Sequence, residues 1–142
     1  MRVRSLNVPA ALVIFSLITG PAGAARLTAP APARADIKLG EEVYARCMGC
    51  HALAQDRTGP RHCGLFGRKA GSVAGFAYSP AMQHSRIVWT SKTLDMFIKA
   101  PMRAVPGTSM GYDGVKDDAE RAALIAWLRA ANASPACGGT AP

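Results

Sequence analysis

The sequence is short of aromatic side chains and of acidic ones. Phe, Trp and Tyr make up 6% of its 142 residues. That is thin for a self-sufficient core in so small a chain, and a cofactor, metal or disulfide would supply the missing cohesion. Asp and Glu number 9 against 17 Lys and Arg, a formal charge of +8. The basic residues nowhere gather into a run, which argues against nucleic acid as a partner. No stretch alternates apolar and polar residues in the manner of a strand, and no internal repeat is visible. No unbroken apolar run reaches the roughly 20 residues that span a bilayer. Length and patterning leave one modest, all-helical domain.

The N-terminus reads as an export signal. "MRVR" is a positive n-region, "AALVIFSLI" an apolar h-region, and "PAGA" offers small residues before a cut after Ala24. A second site lies in "ARA", after Ala35, and an uncleaved anchor in the inner membrane is the alternative reading. The expected organisation is a signal peptide over residues 1–24, an Ala/Pro-rich leader over 25–36, a domain over 37–137 and a tail over 138–142. Cleavage after Ala24 leaves a net +6, and cleavage after Ala35 leaves +4. Both suit an acidic docking partner, an anionic surface or simple solubility.

Within the domain, Asp36 is read as the N-cap of a first helix, with Leu39, Val43, Tyr44 and Cys47 along one stripe. "SPAMQHS" reads as a short helix with Pro80 in its first turn, and "TSKTLDMFIKA" as a helix capped by Thr90 and stopped before Pro101. "DDAERAALIAWLRAAN" is the clearest helix. Asp117 and Glu120 form a capping-box pattern, and Leu124, Ile125, Trp127 and Leu128 form an apolar stripe. Between the helices run long loops rich in glycine, at 59, 64, 67, 71 and 75. Such loops need something to pack on.

The chemistry concentrates in "CMGCH". Cys47 and Cys50 are three apart, which at a helix end puts both sulfurs on one face, with His51 directly after. The pattern is that of c-type haem attachment: two thiols for thioether bonds and an imidazole for the iron. A thioredoxin-type dithiol would need a strand before the motif, where a helix stands. A zinc site from Cys47, Cys50, His62 and Cys63 has conceivable spacing but leaves the Gly-rich loops unexplained. A second axial ligand could come from Met102, Met110, His62, His84, Met82 or Met96. Met96 reads as core. Met110 follows the Pro106–Gly107 turn, which can present a thioether from a fixed place, and Met/His ligation raises the potential of a cytochrome iron.

At this point the chain resembles the class I cytochromes c, of the mitochondrial-like soluble bacterial type. The resemblance runs from about Asp36 to Asn132 and rests on "CMGCH", "TGP" at 58–60, "GLFGRKAGS" at 64–72, "GFAYS" at 75–79, Trp89, "PGTSM" at 106–110 and "LIAWL" at 124–128. It implies an all-α cytochrome c fold of four to five helices wrapped around one covalently bound haem c, with His51 and Met110 as axial ligands. It further implies that the Pro60 carbonyl accepts the His51 ring N–H, and that Arg68, Tyr78 and Trp89 bond or shield the haem propionates. Gly40 and Tyr44 would pack on Trp127. Several positions depart from the family pattern. Phe97 stands where a Tyr hydroxyl often faces the axial Met, Met82 where Asn is frequent, Ser109 where Lys is common and Tyr112 where Phe is usual. Thr108 remains of the polar partners there, so a drier pocket is expected. "RHC" at 61–63 stands where many relatives have "NLH".

The activity implied is one-electron transfer by a carrier that is not an enzyme. The alternatives are a dedicated electron-accepting subunit of a periplasmic dehydrogenase, or a gas-binding or peroxidatic haem protein. The implied partners are acidic redox proteins in transient contact with a monomer, steered by Arg46, Arg57, Arg103 and Lys116, a ring that Asp113 and Asp117 dilute. Membrane contact would come only through partner complexes. With Cys47 and Cys50 taken by haem, an exported chain is left with Cys63 and Cys137, which the resemblance brings together at the C-terminal end of the fold as a disulfide.

Overall fold

The protein is described from a computed structural model over residues 34–138; the expected signal peptide, the leader up to residue 33 and the tail beyond residue 138 lie outside the described residues. Five α-helices are present there: α1 (Arg34–Ala45), α2 (Pro80–Gln83), α3 (Ser91–Lys99), α4 (Pro101–Ala104) and α5 (Asp118–Ala133). A 3-10 turn, Pro135–Cys137, follows α5. The only β pairing among the described residues is an isolated bridge between Lys69 and Val88. The all-α expectation is met.

Helix α1 starts earlier than expected. Asp36 lies in its first turn and is not its N-cap. No breaker separates Arg34 from Asp36, and the first N–H groups of a helix need no internal partner, so apolar periodicity cannot fix this boundary. In the first turn the Asp36 carboxylate complements the positive end of the helix. Helix α1 also stops at Ala45, so Cys47 and Cys50 lie in the turns beyond it rather than on it.

Helix α3 is held by a full capping box: Thr90 accepts from the Thr93 N–H, and the Thr93 hydroxyl accepts from the Thr90 N–H. Its buried residues are Leu94, Phe97 and Ile98. Met96, expected in the core, is 60% exposed. With the stripe at 94, 97 and 98, position 96 falls outside the buried face. In α5 only half of the expected box forms. Asp117 accepts from the Glu120 N–H at 2.8 Å, while the Glu120 carboxylate pairs with Arg46 at 2.7 Å. That ion pair draws the end of α1 to the start of α5.

Helices α1 and α5 cross at Gly40. A Cβ there would fall on the Ala123 carbonyl oxygen and lie 2.6 Å from the Trp127 Cβ. The missing side chain lets Tyr44 rest on Trp127, ring centroids 4.2 Å apart. Val43, Leu124, Ile125 and Leu128 are buried in the core.

Among the described residues, one charged side chain is buried. Arg121 is 3% exposed, on the same stripe as Leu124 and Leu128. Its guanidinium donates to the carbonyls of Val115 (3.1 Å) and Lys116 (2.9 Å), and pairs with Asp95 (2.8 Å) and Asp118 (2.5 Å). It therefore ties α3, α5 and the loop between α4 and α5 into one unit, with its charge compensated. Among these groups, the Arg121 guanidinium holds the Asp118 carboxyl below the usual carboxylate range.

Cys63 and Cys137 are joined by a disulfide, with Cα atoms 5.2 Å apart across 74 residues of sequence. It fastens the first loop to the chain just beyond α5.

Two outcomes are expected. Gly40→Ala should overpack the α1–α5 crossing and cost about 1–3 kcal/mol, read as a lower denaturant midpoint at unchanged m-value; an unchanged midpoint would show that the helices do not touch there. Denatured, unreduced protein should show no reactive thiol from Cys63 or Cys137, and Cys63→Ser should lower the thermal midpoint. Chain entropy sets the upper guide at roughly 4 kcal/mol for a loop this long. A Cys63→Ser variant as stable as the parent contradicts the bridge's contribution.

Candidate functional site

The helices and glycine loops line a cavity. Cys47, Cys50 and His51 line it from the turn after α1, and Met110 lines it from the loop after α4. Leu65, Phe76, Leu94, Phe97 and Leu128 give it an apolar lining.

The turn after α1 is built by backbone bonds. Cys47 N–H donates to the Tyr44 carbonyl (2.8 Å), and the N–H groups of Cys50 and His51 both donate to the Cys47 carbonyl (3.1 and 2.9 Å). One loose turn thus carries both sulfurs and the imidazole. Neither cysteine is in a disulfide; Cys47 is half-buried and Cys50 exposed. Burial pushes the Cys47 thiol pKa up.

His51 is held more closely. Its Nδ1 lies 2.8 Å from the Pro60 carbonyl oxygen. A carbonyl only accepts, so Nδ1 carries the proton and Nε2 keeps its lone pair, the tautomer a metal ligand needs. Burial pushes the His51 pKa down, against the Pro60 bond, which keeps the ring neutral. Gly59 lies against the ring: a Cβ there would be 2.6 Å from both ring nitrogens and closer to Cε1, a position over the face rather than the edge. The loop that supplies these contacts is closed by the Gly59 N–H to the Cys50 carbonyl (2.7 Å).

His62 packs on the same imidazole. The two rings stack with centroids 4.4 Å apart and an interplanar angle of 19°. His62 Nδ1 is joined to the Tyr44 hydroxyl at 3.2 Å. Burial first, then the neighbouring His51 and Arg68, pushes its pKa down to about 3, so the ring is neutral. Burial also raises the Tyr44 hydroxyl to about 12.

The Met110 loop is anchored on both sides. Thr108 N–H donates to the Val105 carbonyl at 3.0 Å across Pro106 and Gly107, and Gly107 has a φ of 87°. Proline before a positive-φ glycine is type II turn chemistry. The Thr108 hydroxyl then accepts from the Met110 N–H at 3.3 Å. Downstream, Val115 N–H donates to the Ile98 carbonyl (2.9 Å), and Arg121 takes the carbonyls of Val115 and Lys116.

The six candidate second ligands separate clearly. Met96 and Met102 are 60% and 59% exposed. His84 is exposed, its Nδ1 on the Pro80 carbonyl at 2.7 Å. Met82, Met110 and His62 line the cavity, and His62 is stacked on His51 itself. Cys63 is bonded to Cys137, which removes it from the zinc set.

Arg68, Tyr78, Trp89, Phe97, Pro60 and Thr108 all line the cavity. Arg68 donates to the carbonyls of Cys63 and Arg61, both at 2.9 Å, which leaves further guanidinium donors for other acceptors. Phe97 and Trp89 rings meet at 5.1 Å. Of the expected basic ring, Arg46 is neutralised by Glu120, Arg57 donates to the Met48 carbonyl at 2.7 Å, and Lys116 donates to the carbonyls of Lys99 (3.0 Å) and Asp113.

Sequence reasoning missed the work of Arg121 and His62. For Arg121 the signal was present: an arginine on the apolar stripe with Leu124, Ile125 and Leu128. For His62 there was none beyond its proximity to the motif.

The donor set fits a c-type haem. Two thiols, the His51 imidazole with a free Nε2 and the Met110 thioether all line one largely apolar cavity, while no three His, Cys, Asp or Glu side chains among the described residues form a metal-holding cluster. The iron's remaining donors would have to come from a macrocycle.

Comparison with known proteins points the same way. The family model described as Cytochrome c matches residues 37–132. The chain is 42% identical over 108 residues to cytochrome c2 of Blastochloris viridis, covering 74% of this chain and 84% of that protein. It is 40% identical over 96 residues to cytochrome c-550 of Nitrobacter winogradskyi, covering 66% of this chain and 88% of that one. Among solved structures, cytochrome cH from Methylobacterium extorquens superposes with a TM-score of 0.65 at 33% identity, over 67% of this chain and 98% of that one.

Gly59→Ala should drive a methyl into the His51 ring. The expected result is a loss of about 1–3 kcal/mol of stability and a changed visible spectrum of the haem-loaded protein. A variant with parental stability and spectrum would show that Gly59 does not bear on the ligand.

Proposed function

The chain belongs to the cytochrome c family, whose haem c is covalently bound, and from that premise we propose that it is an exported one-electron carrier with His51 and Met110 as axial ligands. When bound, haem c supplies the Fe(III)/Fe(II) couple that takes up and gives back one electron. Cys47 and Cys50 provide the thiols for its two thioether bonds. His51 offers Nε2 because Pro60 holds the proton on Nδ1. Met110 offers its sulfur from a loop fixed by the Pro106–Gly107 turn and by Arg121. The observation that carries this reading is the convergence of Cys47, Cys50, His51 and Met110 on one apolar cavity.

The remaining residues serve transfer rather than catalysis. Two protein ligands would fill both axial positions and leave no place for a substrate. The apolar lining disfavours the extra positive charge of the ferric state, which raises the potential. Phe97, with no hydroxyl, contributes to that dry lining. Arg68, Tyr78 and Trp89 are the residues for the propionates. The carrier works as a monomer in the periplasm, meeting acidic redox partners briefly. With Arg46 paired to Glu120, the positive docking patch is smaller than the count of basic residues suggests.

Met110→Ala should abolish the near-infrared Met–iron band of the oxidised protein, open the iron to carbon monoxide in the reduced form, and lower the potential. The sign follows because thioether ligation favours Fe(II). Met82→Leu, at the other cavity-lining methionine, should leave the band in place. The reverse pattern would move the ligand to Met82, and carbon monoxide binding by the unaltered reduced protein would favour a gas-binding role.

A further inference from the structure

We propose that His62 is a positioning residue for the axial imidazole: stacked on His51 and tethered by the Tyr44 hydroxyl, it fixes the plane of the ligand ring and stabilises the oxidised state. The inference rests on the reading of His51 as the iron ligand.

Three observations carry it. The first is the stack itself, 4.4 Å between centroids and 19° from parallel. The second is the tether. His62 Nδ1 meets the Tyr44 hydroxyl at 3.2 Å, and Tyr44 is buried against Trp127 at the α1–α5 crossing. The orientation of the His62 ring is thereby tied to the buried α1–α5 crossing. The third is the backbone. His62 N–H donates to the carbonyls of Ala52 (3.1 Å) and Leu53 (3.0 Å), and Cys63 N–H donates to Leu53 (2.7 Å). These are the residues that directly follow His51. The next side chain along, Cys63, is bolted to Cys137. His62 therefore cannot drift from His51 without breaking loop, bridge and tether together.

The Pro60 hydrogen bond fixes one edge of the His51 ring, and Gly59 opposes rotation about that bond where it lies over the ring face. The stacked ring adds to that restraint. It also acts electrostatically. When a bound metal gives up an electron, its imidazole ligand becomes more positive. The face of a neutral aromatic ring favours an adjacent positive charge. His62 should thus favour the ferric form, against the pull of the apolar lining. Its removal acts in one direction on two counts: the face contact is lost, and a polar group leaves the cavity wall.

The test uses the full-length, haem-loaded protein and three variants: His62→Leu, Tyr44→Phe and the double variant. Two quantities are read, the midpoint potential and the paramagnetically shifted proton resonances of the haem methyls and the His51 ring, which report the ligand plane. His62→Leu should raise the potential and alter the methyl shift pattern. Tyr44→Phe, which frees His62 without deleting it, should move both in the same direction by less. The double variant should match His62→Leu alone. A folded His62→Leu protein whose potential and shifts coincide with the parent's, or whose potential falls, overturns the proposal. If His62→Leu fails to fold, Tyr44→Phe decides: parental values there overturn it equally. Absence of shifted His51 ring resonances in the parent would instead strike the ligand assignment, and so is told apart from failure of the His62 role.

Discussion

The hydrogen bond from His51 Nδ1 to the Pro60 carbonyl, 2.8 Å long, is the contact on which the site depends. It converts a histidine that could carry its proton on either nitrogen into one tautomer with a lone pair on Nε2. Much of the first loop exists to make that bond possible. Gly59 lacks a side chain because the imidazole occupies the space. Its N–H closes the loop back onto Cys50, and the loop's far end is held by backbone bonds to residues 52–53 and by the Cys63–Cys137 bridge. Each element is local and modest in strength. Together they restrain the His51 ring, and restraint of this kind keeps rearrangement on electron transfer small.

The opposite wall is organised by a different device. Met110, the proposed second ligand, sits on a loop without regular structure, and a loop alone is a poor platform for a ligand. Its rigidity comes from a proline–glycine turn on one side and from Arg121 on the other. Arg121 is costly to bury, and four donor contacts, two of them to the compensating carboxylates of Asp95 and Asp118, offset that cost. The α1–α5 crossing at Gly40 links the two walls, because Tyr44 reaches from it to His62 while α5 carries Arg121. Scarcity of aromatic side chains is consistent with such a design. The interior is assembled around a cavity, and covalently bound haem c provides the bulk that the chain does not.

Most of the fold was legible in the sequence, for physical reasons that also explain the gaps. Helices α3 and α5 announced themselves through caps and stripes, and Thr90 and Asp117 cap where expected. The start of α1 was misplaced because Asp36 looks like a cap wherever it falls near a helix start, and hydrogen bonds, not composition, set the boundary. Met96 was misassigned to the core because three apolar residues in four fit a stripe on either side; only tertiary packing chooses. The candidate site was legible in its residue types, since thiols three apart with an adjacent imidazole have few uses. The fate of Glu120 was not legible: its carboxylate left the capping box for Arg46, a partner 74 residues upstream that exists only once α1 and α5 have docked. His62 was weighed only as a metal ligand, and its contact with His51 was not legible for the same reason, because stacking and tethering are properties of the closed loop.

The account centres on haem held covalently by Cys47 and Cys50 of one turn, and acid–acetone extraction of the purified protein tests this most directly. The haem is predicted to remain on the polypeptide, with its mass added to the intact chain. Release of unmodified haem into the acetone, leaving a chain with two free thiols at Cys47 and Cys50, would contradict it.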